Sequence, residues 1–377
     1  MKYPILFLFF FCSFSSLWSQ QFVADSLIVL LEKEVNPLQQ IDFHLGISRA
    51  YNFIGDNDLV EKHLRIASDL SQENNYLEGI ATILLMEGVM EYGNGEGSEI
   101  GYKKSLQALA IAQSIPSKSV ETMAQYHLAE YFIYEKNNYS KGIKILQQAL
   151  IEIDETVSDK HIGNVYKVLA QAYEIQGYDS LSIATFEKAL HHFDRVQTHP
   201  FIHPDLGRPE ATEADNGLMN KGQVHVYLGR IYSSQGKMEK ALAEITIAKN
   251  IYKKTASLSF EAWAIEEAAK VYSEFGLFEK AIQNFQIALK VYEKTQMIPD
   301  QTDVLMELGN IFTIAKDYEV AEAYYLKSLK SVEYATDTVM MVDINKGLAD
   351  LAINKRQYDK ALAYLVEAEK LNLAIKD

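Results

Sequence analysis

The sequence is poor in cysteine, since Cys12 is the only one in 377 residues. One cysteine cannot form a disulfide within the chain, and Cys12 lies inside an apolar N-terminal run rather than beside candidate catalytic groups. Phenylalanines rather than small residues precede Cys12, which disfavours a lipid-attachment site. We therefore expect neither disulfides nor thiol catalysis, and packing alone must hold the fold together.

Long apolar runs are absent after residue 20, because charged residues interrupt every apolar stretch at helical spacing. The sequence therefore predicts no transmembrane helix in that part of the chain. The N-terminus differs: Lys2 is followed by the apolar run Ile5 to Phe14 and then by a more polar segment that includes Ser19. This pattern is typical of an export signal. We expect a signal peptide over residues 1–20 and an exported protein, periplasmic or secreted in a bacterium.

Basic residues are scarce: 36 lysines and arginines stand against 51 acids, a formal net charge of −15. Removal of residues 1–20 takes away one lysine and no acid, which leaves 35 against 51 and a charge of −16. Nucleic acid is disfavoured as a partner because phosphates need clustered lysine and arginine. The balance favours solubility and a basic or neutral polypeptide partner.

Catalytic motifs are also lacking. The sequence has no Gly-x-Ser-x-Gly and no His-Glu-x-x-His, so we expect neither an enzyme nor a cofactor. Four histidines fall close together, and His191, His199 and His203 are weak candidates for a metal site. Their spacing matches no standard zinc pattern, so a polar loop beside a helix end is favoured over a metal-dependent enzyme.

The feature that is present is an internal repeat marked by a small residue. The gaps between successive markers are 41, 41, 40, 59, 40, 40 and 40 residues. The markers are Ala67, Ala108, Ala149, Ala189, Ala248, Ala288, Ser328 and Ala368. A fixed period of this size predicts a solenoid of eight units, each of which buries its apolar face against its neighbours.

Each unit has the pattern of two amphipathic helices. Ala269 and Tyr272 precede a glycine, Gly276, and Phe285 and Ala288 follow it at helical spacing. Small residues let two helices approach closely, and an aromatic one turn away fills the space beside the contact. The unit is therefore predicted to be a helical hairpin. The predicted turn residues are Gly55, Gly177, Gly236 and Gly276, with Lys136, Lys316 and Arg356 in the other units.

With these residues the chain resembles the tetratricopeptide repeat family over about residues 41 to 374. The common family unit has 34 residues, so units of 40 or 41 predict longer helices or connections. The resemblance implies an all-α, right-handed superhelical solenoid of about eight antiparallel hairpins, whose first helices line a peptide-binding groove. The unit around Leu84 to Ala108 is degenerate, and its Gly93, Gly95 and Gly97 favour a flexible turn over a phosphate loop.

The domain organisation follows from the spacing of these small residues, which we call the ladder. Residues 21–40 are predicted to form a lead-in helix interrupted by Pro37, and residues 41–194 to form repeats 1–4. The 59-residue gap places an inserted loop with prolines and histidines at 195–217. Residues 218–377 are predicted to form repeats 5–8 of one continuous array.

The candidate ligand groove consists of positions opposite the packed face of each first helix, taking about 100° per residue. Trp263 is favoured most, because aromatic anchors are typical binding hot spots. Glu267 and Glu274 share its face. The candidates are Asn164, Lys167, Gln171, Gln223, Arg230, Trp263, Glu266, Lys270, Asp303, Asn310, Asp343, Lys346 and Asp350. The competing interpretation is a solvated polar face.

These observations predict an exported scaffold that binds a peptide or protein ligand. An alternative is the ligand-sensing region of a bacterial signal-transduction protein, such as a sensor histidine kinase or transcriptional regulator, whose exported arrays the chain resembles. The final predicted helix carries Leu365 and Leu371 with no further helix to cover them. We therefore expect a membrane-associated partner, self-association through this end, or a chain that is a fragment of a longer protein.

Overall fold

The computed structural model describes residues 24–54, 56–91, 97–196, 213–255, 257–335 and 338–376. These residues form helices joined by short connections, and no strand occurs among them. The chain divides into two compact units, Met1–Tyr227 and Leu228–Asp377. The prediction of an all-α repeat fold is confirmed.

Unit 1 holds helix α1 (residues 24–31), eight complete helices after it and the first part of α10. The complete helices are α2 (Pro37–Ile54), α3 (Asn57–Glu73), α4 (Leu77–Glu91), α5 (Gly97–Ala112), α6 (Lys118–Glu130), α7 (Tyr139–Glu152), α8 (Asp159–Ile175) and α9 (Asp179–Arg195). A π-helical segment, Tyr131–Glu135, extends α6. Helix α10 spans Glu213–Ser234, so the boundary between the units falls inside it.

Unit 2 holds the remainder of α10 and seven further helices. They are α11 (Met238–Lys254), α12 (Leu258–Glu274), α13 (Phe278–Thr295), α14 (Ile298–Ile314), α15 (Tyr318–Ala335), α16 (Thr338–Asn354) and α17 (Tyr358–Lys376). In both units consecutive helices pack as hairpins, for example α8 with α9 and α14 with α15. Helices α8, α9 and α12 each have 17 residues, so the long repeat unit is accommodated mainly by long helices.

The ladder of small residues lies on the second helix of every hairpin. Seven of the eight markers are completely buried, and Ala368 is 4% exposed. Ser328 replaces alanine in α15, and its hydroxyl donates to the backbone oxygen of Thr302 at 2.9 Å. A buried hydroxyl is tolerated there because this hydrogen bond replaces the one it would make to water.

The turns within the hairpins are set by a residue with positive φ. Gly177, Gly236 and Gly276 have φ between 72° and 74°, and Lys316 and Arg356 adopt the same left-handed region. Each closes the preceding helix, as where the N–H of Leu277 donates to the backbone oxygen of Tyr272 at 2.8 Å. These positions agree with the sequence prediction, while Gly55 lies outside the described residues.

The prediction fails by one residue at the third hairpin. Asn137, not Lys136, has positive φ there, at 50°. The cause is the π-helical segment Tyr131–Glu135, which fits one extra residue into the helix and shifts the turn along the chain. Asn138 then caps the N-terminus of α7, and its side chain accepts from the N–H of Lys141 at 3.2 Å.

Two other segments differ from their predicted boundaries. Pro37 does not interrupt a helix but is the first residue of α2, where its missing N–H costs nothing. Residues 213–217, assigned to the inserted loop, lie in α10. The predicted signal peptide, the loop residues 197–212, and Gly93 and Gly95 all lie outside the described residues.

Within the described residues, no helix is both long and apolar enough to cross a membrane. On α17, Leu362 and Val366 are about 60% exposed, and Leu365 and Leu373 are about half exposed. Self-association through this helix remains a prediction.

Candidate functional site

The groove candidates all lie on first helices of their hairpins. Asn164, Lys167 and Gln171 are on α8, and Gln223 is on the part of α10 that belongs to unit 1. The other nine are in unit 2, on α10, α12, α14 and α16. The structure therefore separates the candidates into two local groups, one in each unit.

In unit 1 the centre of the group is Lys167, whose side chain is only 8% exposed. Its ammonium donates to Oδ1 of Asn220 at 2.7 Å and to Oε1 of Gln223 at 2.8 Å. Burial lowers the pKa of Lys167 to about 8, and the charge of Glu130 only partly opposes this. Two neutral amides thus hold a buried cation, and within the described residues two of its three N–H groups donate hydrogen bonds.

Asn164 lies one turn before Lys167 on α8. Its Oδ1 is buried and has no hydrogen-bond partner within the described part of the chain. A buried acceptor without a partner costs about 1–3 kcal/mol. Asn164 and Lys167 therefore place an unused acceptor and an unused N–H donor one helical turn apart.

Tyrosines of the preceding repeat extend this group. Tyr134 donates to Oε1 of Gln171 at 3.0 Å, and Tyr126 donates to Oε1 of Glu130 at 2.7 Å. Burial raises the pKa of both phenols. We name Tyr126, Glu130, Tyr134, Asn164, Lys167, Gln171, Asn220 and Gln223 the Lys167 cluster.

The sequence analysis missed Tyr126, Glu130, Tyr134 and Asn220. The first three are four residues apart on α6 and its π-helical extension, which is the spacing of one helix face. That spacing was visible in the sequence. The groove candidates predicted from the sequence begin at α8, so the third repeat is not among them.

A cleft lies on the first helices nearer the N-terminus. Its lining is mostly apolar, with polar side chains from α2 and one histidine from α6. It is lined by Ser48, Arg49, Asn52, Val60, Leu85, Met86, Val89, Met90, Met123 and His127. We call it the methionine cleft. His127 connects it to the Lys167 cluster, because its Nδ1 lies 3.2 Å from Oε2 of Glu130.

In unit 2 the candidates form an ion-pair network. Arg230 donates to both carboxylate oxygens of Glu267, at 2.6 and 2.7 Å. The ammonium of Lys270 lies 2.7 Å from Glu266, 3.4 Å from Glu267 and 2.9 Å from Asp303. We call these five residues the Arg230 network.

The two adjacent glutamates of this network differ in electrostatics. Burial raises the pKa of Glu266 to about 7, in spite of the nearby Lys270. Burial acts in the same direction on Glu267, but the hydrogen bonds and charge of Arg230 outweigh it and hold its pKa below the usual value. Burial lowers the pKa of Lys270, yet the charges of Glu267, Glu266 and Asp303 outweigh it, so that pKa is raised.

Trp263 packs beside the Arg230 network and is half-buried rather than exposed. The guanidinium carbon of Arg230 lies 5.5 Å from its ring centroid, which is cation–π range. The ring of Phe260 packs edge-on at 6.3 Å, and that of Tyr252 lies tilted at 6.4 Å. Trp263 therefore stabilises the position of Arg230 within the protein.

The remaining candidates of unit 2 make local contacts. Oδ1 of Asn310 accepts from the hydroxyl of Tyr325 at 2.5 Å. Asp343 and Lys346 form an exposed ion pair along α16 at 3.0 Å. The backbone oxygen of Asp350 accepts from the amide of Asn354 at 2.8 Å. Their role in a groove stays a prediction.

The weak metal candidates are not brought together by the structure. His191 is exposed, and its ring meets that of His192 edge-on at 5.5 Å. Nδ1 of His192 lies 2.7 Å from Oδ1 of Asp159. His199 and His203 lie outside the described residues, and within those residues no group of three or more His, Cys, Asp or Glu side chains could hold a metal ion.

Comparisons with known proteins agree with this architecture. The family model for the tetratricopeptide repeat matches residues 267–336. No curated protein matches the sequence.

Several solved structures share the fold at low sequence identity. A Rap protein complexed with Competence and Sporulation Factor is 13% identical and has a TM-score of 0.59, with 90% of this chain and 98% of that one covered. Aspartyl phosphate phosphatase F from Bacillus subtilis is 13% identical with a TM-score of 0.51, and 89% and 94% are covered. The apo form of RapI is 14% identical with a TM-score of 0.50, and 68% and 99% are covered.

The eight-unit ladder, the hairpins with left-handed turns and the family match over α12–α15 agree with one another. Together they show a tetratricopeptide-like repeat fold, and residues 267–336 match the tetratricopeptide repeat family itself.

Proposed function

We propose that the protein is an exported interaction scaffold that binds a peptide or protein segment along the first helices of unit 1. The observation that carries this proposal is the position of Asn164 and Lys167 one helical turn apart on α8, the first with an acceptor that has no partner among the described residues. An unused acceptor and an unused N–H donor on one helix face match the two hydrogen-bonding groups of a peptide backbone. Because Oδ1 of Asn164 is buried, this side chain rotates when a segment binds. The amide N–H of the segment then donates to Asn164, and a carbonyl oxygen of the segment accepts from Lys167.

The charge of the site supports a polypeptide rather than a phosphate ligand. Lys167 is the only basic residue of the Lys167 cluster, and Glu130 lies close enough to influence its pKa. A ligand with several negative charges would meet one cation in a protein with a net charge of −15. A Rap protein of similar fold has been solved in complex with Competence and Sporulation Factor. By analogy, we propose that this chain also binds a polypeptide.

The apolar part of a ligand has a place in the methionine cleft. His127 of the cleft contacts Glu130 of the Lys167 cluster, so the two sites adjoin. An extended segment can therefore contact both. Methionine side chains adapt to ligands of different shape, which suits recognition of a family of sequences. The Arg230 network contributes less, because its cations and carboxylates are already paired.

The experiment is a selection of displayed random peptides on the immobilised chain. Peptides enriched on the wild-type protein are retested on an Asn164→Leu, Lys167→Met double variant and on Lys188→Met, which removes a lysine from α9. We expect the double variant to lose binding and the α9 variant to retain it. Equal binding to all three proteins, or no enrichment on the wild type, would overturn the proposal.

Export rests on the N-terminal pattern alone and needs its own test. The full gene is expressed in a Gram-negative bacterium, and the periplasmic fraction is separated from the cytoplasm. We expect the chain in the periplasm with a new N-terminus close to Gln20. A chain that stays in the cytoplasm with residues 1–20 attached would contradict export and leave the peptide-binding proposal standing.

A further inference from the structure

We propose that the methionine cleft binds copper(I) through the thioether sulfurs of Met86, Met90 and Met123 and through Nε2 of His127. This inference does not rest on peptide binding, although both proposals use the same cleft. It concerns four side chains with soft or borderline donor atoms that line one cleft of unit 1.

The spacing of the four residues places them on two facing helix surfaces. Met86 and Met90 are four residues apart on α4, and Met123 and His127 are four apart on α6. Residues at this spacing share one side of a helix. Helices α4 and α6 pack against each other within unit 1, and both pairs line the same cleft.

His127 is oriented as a metal ligand requires. Its Nδ1 lies 3.2 Å from Oε2 of Glu130, and the other carboxylate oxygen accepts from Tyr126 at 2.7 Å. A carboxylate on one ring nitrogen fixes the tautomer and leaves the lone pair on the other nitrogen. Glu130 thus acts as a positioning residue that keeps Nε2 of His127 available.

The donor set selects the metal. Thioether sulfur is a soft ligand that favours copper(I), whereas magnesium and calcium need oxygen ligands. No aspartate or glutamate is among the residues that line the cleft. Three thioether sulfurs and one imidazole nitrogen in a mostly apolar cleft suit copper(I). Glu130 behind the histidine brings a negative charge, and Arg49 in the same lining brings a positive one.

A purely structural role explains only part of this arrangement. Met86 and Met90 pack against the core of α2 and α3, and Met123 packs against that of α4 and α5, as adaptable apolar side chains do. Core packing does not require a histidine in the same wall, nor a carboxylate that holds one ring nitrogen of that histidine.

The test is an anaerobic titration of the full-length chain with copper(I) in competition with bicinchoninate. Every protein carries Cys12→Ser, so that the only thiol does not contribute. We expect one copper(I) per chain and no comparable binding of zinc(II). The variants are Met86→Leu/Met90→Leu, Met123→Leu and His127→Leu, with Met297→Leu/Met306→Leu in unit 2 as the matched control.

We expect each cleft variant to weaken copper(I) binding by roughly tenfold or more, and Glu130→Gln to weaken it by roughly ten- to a hundredfold through His127. Methionine to leucine conserves volume, and circular dichroism confirms that the variants fold. X-ray absorption of the complex should show sulfur neighbours together with nitrogen. Substoichiometric copper, affinity unchanged in the cleft variants, equal zinc binding, or a spectrum without sulfur neighbours would each overturn the proposal.

Discussion

Arg230 on α10 and Glu267 on α12 form a two-point ion pair, with Nε–Oε2 at 2.6 Å and Nη2–Oε1 at 2.7 Å. The carboxylate is 3% exposed, while the guanidinium side chain is 41% exposed and faces Trp263. A planar guanidinium that holds a buried carboxylate in this way fixes the relative position of two first helices.

Replacement of Arg230 is expected to destabilise unit 2. Arg230→Ala leaves the buried Glu267 with only the weaker contact to Lys270 at 3.4 Å. We expect a loss of about 2 kcal/mol in the free energy of unfolding, less than for a fully buried pair because the arginine is partly exposed. Urea unfolding measures it, with the exposed Lys253→Ala on α11 as the charge-matched control. Equal stability of the two variants would contradict a structural role for the pair.

The raised pKa of Glu266 gives stability a pH dependence. The folded chain holds a proton on this carboxyl up to about pH 7, whereas the unfolded chain releases it near the ordinary glutamate pKa of 4.5. Stability is therefore expected to fall as pH rises from about 4.5 to 7, by about 3 kcal/mol from this group. Lys270, Asp303 and Tyr292 are the charged and titratable groups around it.

Glu266→Gln should remove this component, because glutamine does not titrate. The measurement is urea unfolding of the wild type and of the variant between pH 5 and 8, with Glu279→Gln on α13 as an exposed control. The difference in stability between wild type and Glu266→Gln should change across this range. A constant difference would show that Glu266 is ionised throughout.

The buried charge of Lys167 is expected to lower the free energy of unfolding. Its folded pKa of about 8 lies below the ordinary 10.5, so the unfolded chain binds the extra proton between these values. Wild-type stability should therefore rise with pH from 8 to 10.5, and the buried charge costs about 3 kcal/mol below pH 8. Lys167→Met removes that cost together with two hydrogen bonds worth about 1 kcal/mol each.

We therefore expect Lys167→Met to be more stable than the wild type by about 1 kcal/mol at pH 7, given these opposing contributions. It should also lack the rise in stability above pH 8. Urea unfolding at pH 7 and pH 10 measures both effects, and Lys188→Met serves as the control. A variant that is strongly destabilised would show that the lysine is structural rather than reserved for a ligand.

Gly163 permits a close approach of α8 and α9. A Cβ at this position would lie 2.6 Å from the ring of Phe193, which is itself 5% exposed and fixed in the core. We expect Gly163→Ala to destabilise the protein by about 1–3 kcal/mol through overpacking. Thermal unfolding measures this, and the double variant Gly163→Ala, Phe193→Leu should recover part of the loss. A stabilising Gly163→Ala would contradict the close contact.

Much of the fold follows from local sequence. The 40-residue period, the alternation of small and aromatic residues and the turn positions predicted helical hairpins and the register of the ladder. These features need only helix periodicity and the preference of glycine for positive φ. The one-residue shift at Asn137 was not predictable in the same way, because a π-helical segment has no periodic signal of its own.

The sequence by itself determined the repeat fold and the helix faces that carry polar candidates, because helix periodicity and small-residue packing are local. Only the tertiary structure decided the partners. Glu266 and Glu267 are adjacent and alike in sequence, yet one accepts from Tyr292 at 2.7 Å and the other from Arg230. Successive side chains point about 100° apart, so neighbours across different helices select their hydrogen bonds and charge states. Arg230 and Glu267 are 37 residues apart in the sequence, and Lys167 and Gln223 are 56 apart. These pairs meet only because their helices pack against each other.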